Sequence, residues 1–235
     1  IETVASGVSR LNYPLIDGVV NGCPSHLLEP ERLQKIQYSE DFSQGYWTKS
    51  GLLTPTSGFV SPKGDLSAFK LVEDSSNSRH YINSPNIAVS AVNHSTSIYI
   101  KANGRTKFAL SEEVATGIYA SFDIENGIVL DESGVSANIK QLSNGWFRCE
   151  YTMTSGTFFQ LRIVILPDSY VSGSVSASYQ GDGTSGVYIF GVQLEEGSFP
   201  TSYIPNYGTS AGITRSAETA NGAGDASTFN DSEGV

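Results

Sequence analysis

The sequence predicts an all-β chain, a sandwich or a barrel, and three observations carry that expectation. Apolar and polar residues alternate in several short runs, and because neighbouring strand residues point to opposite faces, such runs bury one face only. Asn-Gly pairs stand at 103–104, 126–127 and 144–145, and that dipeptide is the strongest short-range hairpin signal. The 24 glycines among 235 residues, with many Ser, Thr and Asn, break the apolar runs into strand-sized pieces. No amphipathic helix is expected.

In chain order, residues 1–34 read as an extended N-terminal arm. Pro14, Gly18, Gly22, Pro24 and Pro30 interrupt every run, and Leu11, Leu15, Ile16, Leu27 and Leu28 form an apolar strip. Residues 35–205 read as the β-domain. In the run 97–102, Ile98 and Ile100 face one way, Tyr99 and Lys101 the other. A further strand is expected around 118–124, with Tyr119 and Asp123. In the run 145–153, Phe147, Cys149, Tyr151 and Met153 make the apolar row, opposite Trp146, Arg148, Glu150 and Thr152. In 158–166, Phe159, Leu161, Ile163 and Ile165 point inward, Phe158, Gln160 and Arg162 outward. A buried Ile, Leu or Phe contributes roughly 1.5–3 kcal/mol, enough for such rows to pin the register. Residues 188–205 form a closing strand, an acidic turn and a Pro-punctuated exit. Residues 206–235 are small, polar and Gly-rich, and read as a linker or C-terminal tail.

Twenty-four acidic against 14 basic residues give −10, which opposes binding to nucleic acid or to an anionic membrane surface. No apolar run reaches the length of a membrane helix, so no membrane insertion is expected. The chain opens Ile1-Glu2-Thr3, without the pattern of a signal peptide and without Met, and is expected to be a piece or processed product of a longer protein. The two cysteines, Cys23 and Cys149, cannot make a disulfide framework, and sequence leaves open whether they pair. The strand phase of Cys149 predicts a buried free thiol.

No reaction centre is expected. The letters of GDGTSG at 181–186 match a dinucleotide fingerprint, but a strand follows where a helix must. GTSAG at 208–212 lies in the exit rather than on a strand-to-helix elbow. His26, His80 and His94 lack metal-ligand spacing, and His80 reads as a surface residue in a loop. The pairs Glu112-Glu113 and Asp131-Glu132 are strand neighbours, so each pair points to opposite faces, unlike the facing carboxylates of a glycosidase. The outward rows instead suggest a docking face for sugars, which stack on rings and use forked polar groups. Its candidate residues are Tyr99, Lys101, Tyr119, Trp146, Arg148, Gln160 and Arg162.

The phrases LLEPER (27–32), YSEDF (38–42) with Trp47, YIKA (99–102), NGWFRC (144–149) and GDGTSGVYIFGVQLEEGSFPTSYIP (181–205) resemble those of a carbohydrate-binding-module-like domain of bacteriophage tail-fibre, spike and other virion proteins. The sequence departs from that pattern at Leu33-Gln34-Lys35-Ile36. The resemblance implies a jelly-roll β-sandwich of two antiparallel sheets. It implies a non-catalytic, virion or extracellular module that attaches to surface polysaccharide, beside other virion subunits and as a homo-oligomer. Two alternatives stay open: a module appended to a polysaccharide-degrading enzyme, or a structural virion joint without sugar. No cofactor is required. Similar jelly-roll modules hold a structural calcium, for which Glu40, Asp41 and Glu195 are the matching carboxylates, although Gly191 stands where an Asp is common.

Overall fold

Alternation becomes strand pairing in the computed structural model, which describes residues 10–12, 15–16, 19–20, 25–27, 29–114 and 117–218. Contacts group the chain into two units: Ile1–Arg32 with Thr214–Val235, and Leu33–Ile213. In the first unit, Arg10–Asn12 pairs antiparallel with Ser25–Leu27, and Leu15–Ile16 with Val19–Val20. Glu29 and Arg215 form an ion pair at 2.8 Å. Such two- and three-residue strands are what closely spaced prolines and glycines allow. Cys23, and the part of the expected tail from 219 to 235, lie outside the described residues.

In the larger unit the principal strands are β1 (Thr48–Ser50), β2 (Thr56–Phe59), β3 (Ala68–Val72), β4 (His80–Asn83), β5 (Asn93–Asn103) and β6 (Lys107–Glu112). They continue with β7 (Ile118–Asp123), β8 (Ile128–Ser133), β9 (Ser136–Gln141), β10 (Phe147–Thr154), β11 (Leu161–Leu166) and β12 (Gly186–Glu196). Two six-stranded sheets result, ordered β8-β7-β6-β11-β4-β1 and β9-β10-β5-β12-β3-β2. Every pairing within them is antiparallel. The fold is a jelly-roll β-sandwich. Among the described residues, no helix is long and apolar enough to cross a membrane.

The Asn-Gly pairs divide in role. Asn126-Gly127 closes the β7–β8 hairpin, and Asn144-Gly145 closes β9–β10 through a short 3-10 turn in which Asn144 takes φ 59°. Asn103-Gly104 instead carries the chain from β5 in the second sheet to β6 in the first.

The inward rows meet as the alternation demands. Ile82, Phe108, Leu110, Phe122, Ile163 and Ile165 of the first sheet pack with Leu71, Ile98, Ile100, Phe147, Cys149, Tyr151 and Leu194 of the second. Cys149 is free and fully buried. Trp47 joins this core beside Phe42, their rings 5.1 Å apart. Phe108 and Phe122 stack at 5.1 Å. His80, expected in a surface loop, is instead a fully buried strand residue. Its imidazole lies between the carbonyls of Gly51 and Tyr179, of which the neutral ring can donate to one.

One irregularity sets the phase of β12. Ser97 pairs with Gln193, but Tyr99 pairs with Phe190, so β12 carries one extra residue opposite β5. The bulge lets Val187 and Ile189 face the core before it and Val192 and Leu194 after it. Gly191, at φ +63°, is required there: a Cβ would stand 3.0 Å from the Tyr99 ring and 3.2 Å from that of Tyr203. The carboxylate that similar modules place at this position has no room.

Candidate functional site

The seven residues expected to form one docking face lie on both outer faces of the sandwich. Tyr99, Lys101, Trp146 and Arg148 belong to the second sheet and the turn before β10, whereas Tyr119, Gln160 and Arg162 lie on or beside strands of the first. Because the core separates the two faces, no single ligand spans the set.

Part of the second sheet's outer face is covered by its own chain. After β12, residues 197–206 return across it, and the outward side chains hold them there. Arg148 Nη2 donates to the Thr201 carbonyl at 2.5 Å and to Ser97 Oγ at 3.1 Å. Gln193 Oε1 accepts from Ile204 N–H at 2.6 Å. Tyr203 inserts between these strands and the opening segment. Its ring centroid is 5.5 Å from Phe190 and 6.0 Å from Tyr99, and its hydroxyl is 2.6 Å from Ser39 Oγ. Tyr99, Trp146, Phe190, Tyr203 and Ala68 form a second buried apolar cluster, with Trp146 only 2% exposed. Lys101 stays half-buried, its stem beside Gly145. The expectation that Tyr99, Trp146 and Arg148 face a ligand is corrected: a polar, aromatic outward row also suits a strap of chain laid over it.

The carboxylates expected to hold calcium are engaged separately. Glu40 takes the Lys63 ammonium at 3.3 Å, and that ammonium also sits 4.8 Å from the Phe190 ring centroid and 3.4 Å from Asp65. Asp41 caps its own turn through Ser43 and Gln44. Glu195 is fully buried and accepts from Thr201 N–H at 2.8 Å and Thr201 Oγ1 at 2.6 Å. Calcium requires six to eight converging oxygens. Among the described residues no group of three or more His, Cys, Asp or Glu side chains is placed to hold a metal ion, and Glu40, Asp41 and Glu195 each take different partners.

The first sheet's outer face is only half covered. The segment 167–178 folds over one half, where Val175 buries Ala109, Val164 and Leu166 together with Tyr81, Tyr119 and Tyr170. Lys107 Nζ anchors that segment by donating to the carbonyls of Asp168 at 2.9 Å and Tyr170 at 2.7 Å. Beside that segment lies a groove of about 280 Å³ lined by Ser111, Glu112, Glu113 and Tyr119 and, from the covering segment itself, Ser174 and Ser176. Register places Arg162 beside Ser111 and Ser111 beside Tyr119, one row across three strands.

Tyr119, Asp131 and Glu113 at this groove are each held by a neighbour. Tyr119 donates its hydroxyl to Asp131 Oδ2 at 2.8 Å, and Asp131 accepts from Gly173 N–H at 2.7 Å, tying the covering segment to β8. Burial first, then the adjacent Asp131 carboxylate, pushes the Tyr119 phenol up to about 12. The Gly173 amide, with the Tyr119 hydroxyl, holds Asp131 below the usual carboxylate range. Glu113 accepts from Ser111 Oγ at 2.7 Å and pairs with Arg162 Nη1 at 2.5 Å. Arg79 Nη2 approaches the same carboxylate at 4.0 Å. The neighbouring Glu112 is buried and turned the other way, accepting from the backbone N–H of Val114 and Gln160. Gln160 is half-buried, its amide donating to the Ser84 carbonyl at 2.9 Å.

Both guanidiniums lie against Tyr81, with Cζ to ring centroid at 4.1 Å for Arg162 and 5.2 Å for Arg79. Burial lowers the Arg162 pKa, Glu113 resists, and Arg79 adds to the fall. Arg79, Tyr81 and Ser111 were not singled out by the sequence, and Glu113 entered only as half of the Glu112-Glu113 pair set aside as non-catalytic. The signal for Tyr81 was present, because Ile82 is inward and strand alternation then turns Tyr81 and Asn83 outward.

No family model and no curated protein matches the sequence. Among solved structures, the carbohydrate-binding module TmCBM61 in complex with β-1,4-galactotriose aligns with 70% of this chain and 99% of its own, at a TM-score of 0.41 and 10% identity.

Proposed function

We propose that this chain is a non-catalytic polysaccharide-binding module that takes its ligand on the open half of the first sheet's outer face. One observation carries the proposal: Arg162, Ser111 and Tyr119 stand in a single cross-strand row beside the groove. Half-buried rings at Tyr81 and Tyr119, with forked donors at Arg79 and Arg162, are the group types that sugar rings and hydroxyls require. The phage-like phrases of the sequence support a virion or tail-fibre setting outside the cell, among other virion subunits and in several copies. A shallow groove implies a weak single site, with Kd between about 1 mM and 1 μM. Display in many copies would raise the effective affinity without any new contact.

The test is a glycan array followed by titration of the hits. Ser176 is exposed at the groove's rim, so Ser176→Trp fills the groove without removing a partner from the core. Binding by the native chain, and its loss in S176W at an unchanged thermal midpoint, is the expected result. Silence across the array, or full binding by S176W, would overturn the proposal.

A further inference from the structure

Residues 197–206 cover the second sheet's outer face where Arg148, Gln193 and Tyr203 hold them. Toward the other end of the same strands, register sets Lys101 of β5 beside Tyr188 of β12, and Tyr188 beside Lys70 of β3. One ring therefore stands between two ammonium side chains, on strands whose spacing puts the two lysine Cα atoms about 10 Å apart. Phe59 of β2 extends the ring surface, its centroid 5.0 Å from that of Tyr188 and 5.5 Å from Lys70 Nζ. Lys70, Lys101 and Tyr188 are each half-buried, so their stems are held in place. Among the described residues, no carboxylate pairs with either ammonium and no hydrogen bond holds it, and neither nitrogen is a buried unpartnered atom. The outward neighbours that register supplies, Thr56, Val72 and Asn103, carry no charge. Two free cations around one ring are a local exception in a chain of net charge −10, whose general field repels an anion elsewhere.

An ammonium is a compact point charge with three donors and suits phosphate oxygens, whereas a carboxylate is matched better by a guanidinium fork. The ring between the two lysines gives an apolar seat for one face of a sugar. A sugar with an anion on either side meets all three groups at once, and sugars joined through phosphodiesters have that arrangement. A uronic acid instead carries its charge on the ring that has to stack. We infer that this part of the second sheet's outer face is a second binding surface, which takes a phosphodiester-linked glycan. One sugar lies against Tyr188, and the phosphates on either side of it meet Lys70 and Lys101. The core separates this surface from the groove of the first sheet, so the two sites work independently.

The probe is a synthetic hexasaccharide of mannose joined through phosphodiesters. It is titrated beside a mannose hexasaccharide with ordinary glycosidic links, a galacturonate hexasaccharide and an oligothymidylate. The phosphodiester form should bind about tenfold or more tighter than the neutral form, as loss of a charged hydrogen bond requires. That preference should shrink as NaCl is raised, and it should survive in S176W.

Lys70→Gln and Lys101→Gln should each weaken binding severalfold, and together bring it down to the level of the neutral form. The thermal midpoint should not move, because neither ammonium has an ionic partner to lose. A K70Q/K101Q protein that keeps the preference, or equal affinity for phosphodiester and neutral forms, would overturn the inference. Galacturonate bound as tightly as the phosphodiester form would overturn it by showing attraction to charge alone, and oligothymidylate bound as tightly would make the surface one for nucleic acid. Binding lost in S176W but kept in K70Q/K101Q would move the ligand to the first sheet's groove and overturn it too. If none of the four probes binds, this second surface falls, and neutral glycans that S176W releases still decide the first sheet's groove by themselves.

Discussion

Arg148 Nη2 donates to the carbonyl of Thr201 at 2.5 Å, joining the outer face of β10 to the chain that leaves β12. That bond decides which face of the sandwich is available. With Gln193 and Glu195, Arg148 fixes residues 197–206 over the second sheet, while the first sheet's outer face keeps a groove beside the segment 167–178.

Tyr203 should therefore act as a keystone of stability. Its ring packs against Tyr99 and Phe190 and it is only 7% exposed. Tyr203→Ala should cost about 3 kcal/mol or more, in the range of other aromatic truncations. Tyr203→Phe, which keeps the ring and loses the hydroxyl's contacts with Ser39 and Glu40, should cost about 1 kcal/mol. Urea unfolding of both variants, compared at equal m-value, gives the ratio.

Trp146 and Arg162 should separate cleanly in mutagenesis. Trp146→Ala empties a buried site and should destabilise by about 3–5 kcal/mol. Arg162→Ala should abolish polysaccharide binding while the near-UV circular dichroism stays native-like. A W146A protein as stable as the native chain would show that the second sheet's cover is loose.

Glu73 should be the carboxylate least tolerant of change. It is fully buried, with Arg105 Nη2 at 2.5 Å, Tyr179 hydroxyl at 2.6 Å and Asp182 N–H at 2.9 Å. Burial pushes its pKa up, but the Arg105, Tyr179 and Asp182 hydrogen bonds outweigh that and leave it lowered. Glu73→Ala strands the Arg105 charge and should cost about 3–5 kcal/mol, measured by chemical unfolding at pH 7.

The pH dependence follows from depressed acids and raised phenols. Asp65, held by the hydroxyls of Ser61 and Ser67, titrates at about 2, and Asp41, Asp123 and Asp131 also lie below the usual range. Their folded pKa values are lower than the unfolded ones, so the stabilisation is present above about pH 4 and is lost as pH falls toward 2. Burial raises Tyr46 and Tyr119 to about 12. Their neutral forms are favoured in the fold, so that contribution holds below about pH 10 and fades as pH rises through 12. Thermal midpoints measured from pH 2 to 12 should therefore show a plateau with two shoulders.

Cys149 should resist modification until the sandwich opens. It is fully buried, and burial, with the Glu150 charge beside it, raises its thiol pKa well above the ordinary value. Alkylation followed by mass analysis of the Cys149 peptide should give labelling that tracks unfolding in urea. Rapid labelling in buffer alone would contradict this core.

The sequence alone determined the inward half of this protein. Period-two rows such as Phe147-Cys149-Tyr151-Met153 and Leu161-Ile163-Ile165 can satisfy burial in one way only, so sheet phase and core followed from them. The outward half was not legible, because outward rows must be polar or amphipathic whether they meet water, a ligand or another stretch of chain. Only tertiary structure decided that Tyr99, Trp146 and Arg148 lie under residues 197–206, and that Arg79, 83 residues from Arg162 in the chain, meets it over the Tyr81 ring. Those encounters depend on which strands become neighbours and where a connecting segment comes to rest. Such distant pairings are set by the packing of the whole sandwich, not by any local pattern of residues.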